Sequence, residues 1–171
     1  FTNNATTFTP NTGVHTFSGA GKMYSGITNT SIPSVTVSGT YTNSGTLTVG
    51  TALAGAGTLT NGASGTLNIG GTCSITTLAN AGTAIITGAG AISTVLANFT
   101  NTGALNLNGS GTIAGITNNA GGIVNLASSG TITSFNNATS TSTLGISALT
   151  VPTITTLTVT AAGNTVNYNG A

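Results

Sequence analysis

The stretch Asn61-Gly62-Ala63-Ser64-Gly65-Thr66-Leu67-Asn68-Ile69 decides the fold, because the chain says nearly the same thing again on either side of it. Upstream stands Asn43-Ser44-Gly45-Thr46-Leu47-Thr48-Val49; downstream stand Asn80-Ala81-Gly82-Thr83-Ala84-Ile85-Ile86, Asn101-Thr102-Gly103-Ala104-Leu105-Asn106-Leu107 and Asn118-Asn119-Ala120-Gly121-Gly122-Ile123-Val124-Asn125-Leu126. A sixth such Asn, Asn137, opens the C-terminal part. From Asn43 through Asn61, Asn80, Asn101, Asn118 and Asn137 the steps are 18, 19, 21, 17 and 19 residues. Such a period is too short for a propeller blade and fits one coil of a β-solenoid.

Within each copy the apolar residues are two apart. Leu67 and Ile69 point to one face of a strand while Asn68 points to the other, and Leu47/Val49 and Leu105/Leu107 repeat the pattern. A helix would need spacings of three and four, and would not tolerate so much Gly, Ser and Asn. A strand this short cannot bury its apolar face alone, but stacked on a copy of itself it can. Each coil also has a second half: Gly57-Thr58-Leu59, Ser74-Ile75-Thr76-Thr77-Leu78, Ala91-Ile92-Ser93-Thr94-Val95, Thr112-Ile113-Ala114-Gly115-Ile116 and Thr131-Ile132-Thr133-Ser134-Phe135. The reading is therefore an all-β chain, a single parallel β-solenoid (β-helix) of roughly seven to nine coils with two short strands per turn. The opening asparagines are expected at corners, where Asn tolerates a left-handed backbone, with their side chains stacked as a hydrogen-bonded ladder.

Composition sets the next bound. Among 171 residues there is one Lys (Lys22), no Arg, no Asp and no Glu, a formal net charge of +1. Ordinary chains are about one quarter charged. Disorder would also require low hydrophobicity, whereas 38% of this chain is apolar and strictly patterned. A nearly uncharged monomer is a poor colloid, so the composition points to association. No apolar run of membrane-spanning length exists, nothing basic precedes Phe1, and the sequence reads as a processed or excerpted segment.

The chain divides into three parts of one domain. Residues 1–42 are irregular: Phe8, Phe17 and Tyr24 add aromatic bulk, and Val14-His15-Thr16-Phe17 reads as a strand. This part is compatible both with an irregular first coil and with a strand leaving the body to pair with a neighbour. Residues 43–136 are the regular coils. Residues 137–171 carry longer, more β-branched strands, Thr143 to Val151 and Ile154 to Val159, before Asn164-Thr165-Val166-Asn167-Tyr168-Asn169-Gly170. Neither end shows a helix, a charged strand or a capping segment, so both ends are expected to be open. The candidate subunit contact is Phe8, Phe17, Val151, Ile154, Leu157, Val159, Val166 and Tyr168.

The Asn-x-Gly-x-Leu-x-Val coils, Gly130-Thr131-Ile132-Thr133, Thr16-Phe17-Ser18-Gly19-Ala20-Gly21 and the closing Gly163 to Gly170 stretch resemble bacterial β-strand-repeat surface proteins and filamentous-haemagglutinin-like β-solenoid adhesins. The resemblance implies right-handed winding, secretion to the cell surface and a structural or adhesive role, with surface glycans or other cells as partners. The near absence of charge departs from that pattern and favours a packed, self-associating filament.

Elimination narrows the chemistry. Without carboxylates there is no acid/base pair, no Ca²⁺ loop and no acidic triad member. His15 and Cys73 are one His and one Cys, too few for a zinc site and separated by several coils. Cys73 reads as a small core residue and His15 as a surface or turn residue. Lys22 lacks the carboxylate that an isopeptide cross-link uses, and Gly19-Ala20-Gly21 has no following helix to cradle a phosphate. Nucleic-acid binding fails for want of basic residues. The chain is read as a non-enzyme without cofactor or metal. Five sequons, at Asn4, Asn29, Asn98, Asn108 and Asn137, leave glycosylation open. An alternative function is ice binding, with Thr58, Thr60, Thr76, Thr112, Thr131 and Thr133 as the outward Thr-rich face; a further alternative is an adhesin stalk.

Overall fold

A computed structural model describes residues 1–88 and 98–170. Sixteen strands are described, in order β1 (Val14–Phe17), β2 (Lys22–Tyr24), β3 (Thr30–Val37), β4 (Thr40–Asn43), β5 (Thr46–Asn61), β6 (Thr66–Ile69), β7 (Thr72–Asn80) and β8 (Thr83–Ile86). Then come β9 (Asn98–Asn101), β10 (Ala104–Leu107), β11 (Thr112–Asn118), β12 (Ile123–Leu126), β13 (Thr131–Asn136), β14 (Thr143–Ile146), β15 (Thr153–Thr158) and β16 (Thr165–Tyr168). All register pairs are parallel, and each strand pairs with its equivalent one turn earlier or later. The chain is a parallel β-solenoid of about eight turns.

Its core is a set of columns. Leu47, Leu67, Ala84, Leu105, Val124, Leu144 and Val166 follow one another in register, and Val49, Ile69, Ile86, Leu107, Leu126, Ile146 and Tyr168 do the same two residues on. All but the last of each column are buried. A four-residue strand hides only two side chains, so each layer depends on the layers above and below it for dryness and for backbone partners.

The second half of each coil is one strand per turn, as read from the sequence, in β7, β11 and β13, but a break in its alternation divides it into two runs, the second and third of the turn. The register between β5 and β7 shifts between Gly55 and Thr58, which puts Leu53 beside Cys73 but Leu59 beside Leu78. In β11 the inward residues Ile113 and Ile116 are three apart, which breaks the period of two. The column continuing from Leu59 and Leu78 is Phe99, Ile116, Phe135 and Leu157. The half-coil Ala91 to Val95 lies outside the described residues.

The C-terminal part also departs from expectation. The C-terminal strands are no longer than the others: β14, β15 and β16 have 4, 6 and 4 residues. The run from Thr143 to Val151 breaks after Ile146 into a corner that leaves Leu149 and Val151 exposed beside buried Pro152. Proline has no N–H for a ladder, so β-branched composition gives way to it here. At the other end, residues 1–42 stay on the body as the first coils, with β1 on β3 and β2 on β4.

Candidate functional site

The chemistry of this chain is concentrated in a column of carboxamides. Asn43, Asn61, Asn80, Asn101, Asn118 and Asn137 stand in register in the third run, every one at most 2% exposed. The Nδ2 of each donates to the Oδ1 of the next: 2.7 Å from Asn43 to Asn61, 2.8 Å to Asn80, 2.8 Å to Asn101, 2.9 Å to Asn118 and 2.8 Å to Asn137. The second Nδ2 hydrogen is used as well. Asn80, for instance, also donates to the carbonyls of Gly82 (3.2 Å) and Ala104 (2.9 Å), tying the start of its own coil to the next one. A buried amide with all its groups paired rigidifies, whereas one left unpaired costs about 1–3 kcal/mol.

These residues are not left-handed corners. Among the described residues the sole non-glycine at positive φ is Thr141. Asn is required for its side chain, which carries a donor and an acceptor on one short stem, not for its backbone. The glycines that come after them have a matching cause: a β-carbon on Gly82 would run into the carbonyl oxygens of Gly62 and Gly65 one layer away, and one on Gly122 would strike the Asn118 Oδ1.

The ladder has a direction, with oxygens toward the N-terminal end and amides toward the C-terminal end. At its head, the place of a seventh Asn is taken by Tyr24, which pairs in register with Asn43 and sends its hydroxyl to Thr30 Oγ1 at 2.7 Å and the Thr46 carbonyl at 3.0 Å. The Asn43 Oδ1 accepts instead from the Gly45 N–H at 3.2 Å. At its foot, Asn137 finds only the Thr165 carbonyl at 3.3 Å and the Ser142 carbonyl at 3.5 Å. Continuing the register from Asn136 beside Thr158 places Val159 beneath it.

The candidate contact residues fall at the two ends. At the foot, Ile154, Leu157, Val159, Val166 and Tyr168 occupy or follow core-column positions without a described layer beneath them; Leu157 is 37%, Val159 41% and Tyr168 64% exposed. Val151 lies on the adjoining corner. At the head the first residues extend the stack by one partial layer. Phe1 donates its amino group to the Met23 carbonyl, Ser25 N–H donates to the Phe1 carbonyl and Asn3 N–H to the Ser25 carbonyl, so residues 1–3 pair over the end of β2. Phe1 stacks on Tyr24 and meets Phe8 edge to face, and Phe8 packs on the core. Beside them the outer edge of β1 is without a described partner strand, and Phe17 stacks on Tyr41.

His15 lies in β1, over the stretch read as a strand, beside Val35, and its Nε2 is buried without a partner among the described residues. Register runs from His15 through Val35 and Leu53 to Cys73, so the two reactive side chains share one column, three layers and about 14 Å apart at the spacing of paired strands. Cys73 is fully buried; desolvation drives its thiol from an ordinary 9.0 up to about 12, against a smaller lowering by a hydrogen bond with the Ile75 backbone. Among the described residues no three His, Cys, Asp or Glu side chains converge to hold a metal ion, and no helix is long and apolar enough to cross a membrane.

The threonines group differently from the sequence reading. Thr58 aligns with Thr77, and Thr60 with Ala79, while Ser74 aligns with Ala54 and Thr76 falls in the register shift. Thr112 and Thr131 pair with each other and with Thr153, with Thr133 two residues beyond Thr131, all in the second run. The six threonines are thus divided between two runs. A different face is more regular. In the third run, Thr42, Thr60, Ala79, Thr100, Thr117, Asn136 and Thr158 form one outward column, and Thr40, Thr58 and Thr77 begin a second that ends in Ser134 and Thr156. Of the sequons, Asn4, Asn29 and Asn108 are exposed and Asn137 is sealed in the ladder. No protein-family model, curated protein or solved structure matches the chain.

Asn80→Ala should strip a partner from Asn61, Asn101 and the Gly82 and Ala104 carbonyls, lowering stability by about 3 kcal/mol or more in denaturant titrations. Asn106→Ala removes only the outward bond from Asn125 and should cost less than about 1 kcal/mol. The Cys73 thiol should resist alkylation until the chain unfolds. Because its folded pKa lies above its unfolded one, its contribution to stability is complete below pH 9 and lost as pH rises toward about 12, which a Cys73→Ala variant should not show.

Proposed function

We propose that this chain is a structural subunit of an extracellular or cell-surface filament, polymerising head to tail with copies of itself. The observation that carries this reading is the foot layer. Its strands β15 and β16 offer outer backbone edges, and between those edges lie Ile154, Leu157, Val159, Val166 and Tyr168 in the places that further aliphatic residues fill in every inner layer. Edge strands that must stay single are guarded by charge or proline; here β15 and β16 carry neither Lys nor any carboxylate, and Pro152 stands just outside β15 rather than in it. The complementary surface at the head is Phe1, Phe8, Phe17 and the edge of β1, which is likewise apolar and without described partner strands. Stacking would continue the columns from one copy into the next, with register supplied by backbone pairing and no ionic contact involved. The aromatic arm of residues 1–9 either remains as the docking surface or moves onto the neighbour as a donated strand.

A second reading, ice binding, is favoured by the third-run columns. Thr40/Thr42, Thr58/Thr60 and Thr156/Thr158 repeat a hydroxyl and methyl pair at the spacing of stacked strands on an uncharged face. Such an array can order water as well as it can pair Thr with Thr along the sheet.

Negative-stain electron microscopy of the 171-residue chain tests the filament directly. Long fibres are expected, and Leu157→Lys with Val159→Lys should leave discrete particles with an unchanged circular-dichroism spectrum; discrete wild-type particles at every concentration would overturn the reading. Thermal hysteresis tests the second reading: activity abolished by Thr58→Tyr with Thr60→Tyr would support it, and none in concentrated wild-type protein would remove it.

A further inference from the structure

We infer that two copies of this chain pair side by side through the outward face of β8, β10, β12 and β14, about a two-fold axis that runs along the strands midway between β10 and β12. Each of these four-residue strands turns its first and third side chains outward and buries the other two. In register, the first positions are Thr83, Ala104, Ile123 and Thr143. The third positions are Ile85, Asn106, Asn125 and Gly145.

Two features set this face apart from a merely solvated one. Ile85 and Ile123 are large apolar side chains turned away from the core, Ile85 half-buried and Ile123 44% exposed. Asn125 Nδ2 donates to Asn106 Oδ1 at 2.9 Å, and among the described residues Asn106 Nδ2 and Asn125 Oδ1 make no hydrogen bond. The two amides thus present one free donor beside one free acceptor, an arrangement complementary to itself.

A two-fold axis along the strands keeps a residue's position within its strand and reverses the order of the layers. Placed between β10 and β12, it sets β10 against β12 of the second copy and β8 against β14. Asn106 Nδ2 then meets Asn125 Oδ1 of the second copy, and the reciprocal pair forms as well. Ile123 lies on Ala104. Ile85 lies on Gly145, which has no side chain and is crossed only by Asn125 Oδ1, 2.6 Å from where a β-carbon would stand. Large faces small and donor faces acceptor, as an isologous contact requires. Other axes lose the match: centred on β10, the axis would set Ile85 on Asn125 and Ile123 on Thr83, and laid along the solenoid it would set Ile85 on Thr83 and Ile123 on Asn125.

The pairing desolvates no charge, because these strands carry none. Overlap runs out to β6 against β16, a footprint of about 400 Å² on each copy. That is roughly half of a standard interface, so the contact is weak and forms at high concentration or between copies already aligned. It does not depend on head-to-tail stacking, which brings none of these residues together.

The test is cross-linking between two variants of the whole chain, Thr83→Cys and Thr143→Cys, with a thiol-to-thiol reagent too short to span three layers; the native Cys73 is fully buried. The axis puts Thr83 beside Thr143 of the second copy but holds the two Thr83 residues about 14 Å apart. Expected is at least tenfold more cross-linked dimer in the equimolar mixture than in either variant alone. Adding Ile85→Asn and Ile123→Asn to both variants should return the mixture to the single-variant level with an unchanged circular-dichroism spectrum. No dimer in the mixture at any concentration, as much dimer from one variant alone as from the mixture, or cross-linking indifferent to the loss of both isoleucines, would overturn the inference.

Discussion

Six buried carboxamides, each donating to the next, are the constraint on which the rest of the solenoid depends. An aliphatic column by itself tolerates changes of identity, since Leu, Val, Ile or Ala can occupy a layer. The amide column is not tolerant. Displacing a coil by one residue would set ladder Nδ2 and Oδ1 groups opposite residues such as Thr or Ala and turn a paired network into a set of orphaned polar atoms. The corner glycines are a consequence, because the backbone that crosses beside each Asn comes too close for a β-carbon.

The ladder is legible in the chain, but its reason is not. Repetition of Asn at coil-length steps sets the period, and the spacing of Leu67 and Ile69 sets the inward face, because both are local. Treating Asn as the mark of a left-handed corner uses a backbone preference where the side chain decides. The second half of the coil is harder. The inward residues Ile113 and Ile116 are three apart within one strand, and the register shift between Gly55 and Thr58 shows only in the pairing of β5 with β7. That is why sequence alone mis-assembles the threonine columns. The partial layer at the head is hidden for a different reason: Phe1 and Phe8 act through contacts with Tyr24 and the core, and an aromatic residue in an irregular stretch gives no period to detect.

Scarcity of charge runs through all of this. Inside the coils, neutral amides provide direction and register where a salt bridge would have to be desolvated. Outside, hydroxyls and amides cover most of the described runs. Layer register is thus kept by a chain built almost wholly from uncharged side chains.

The most direct measurement of the ladder is hydrogen exchange of the asparagine side-chain amides, monitored by nuclear magnetic resonance on the assigned chain. The account predicts that the Nδ2 protons of Asn43, Asn61, Asn80, Asn101 and Asn118 exchange orders of magnitude more slowly than those of exposed Asn4 and Asn108, with Asn137 at the weakly bonded foot between them. Exchange of the five at the rate of the exposed pair would contradict it.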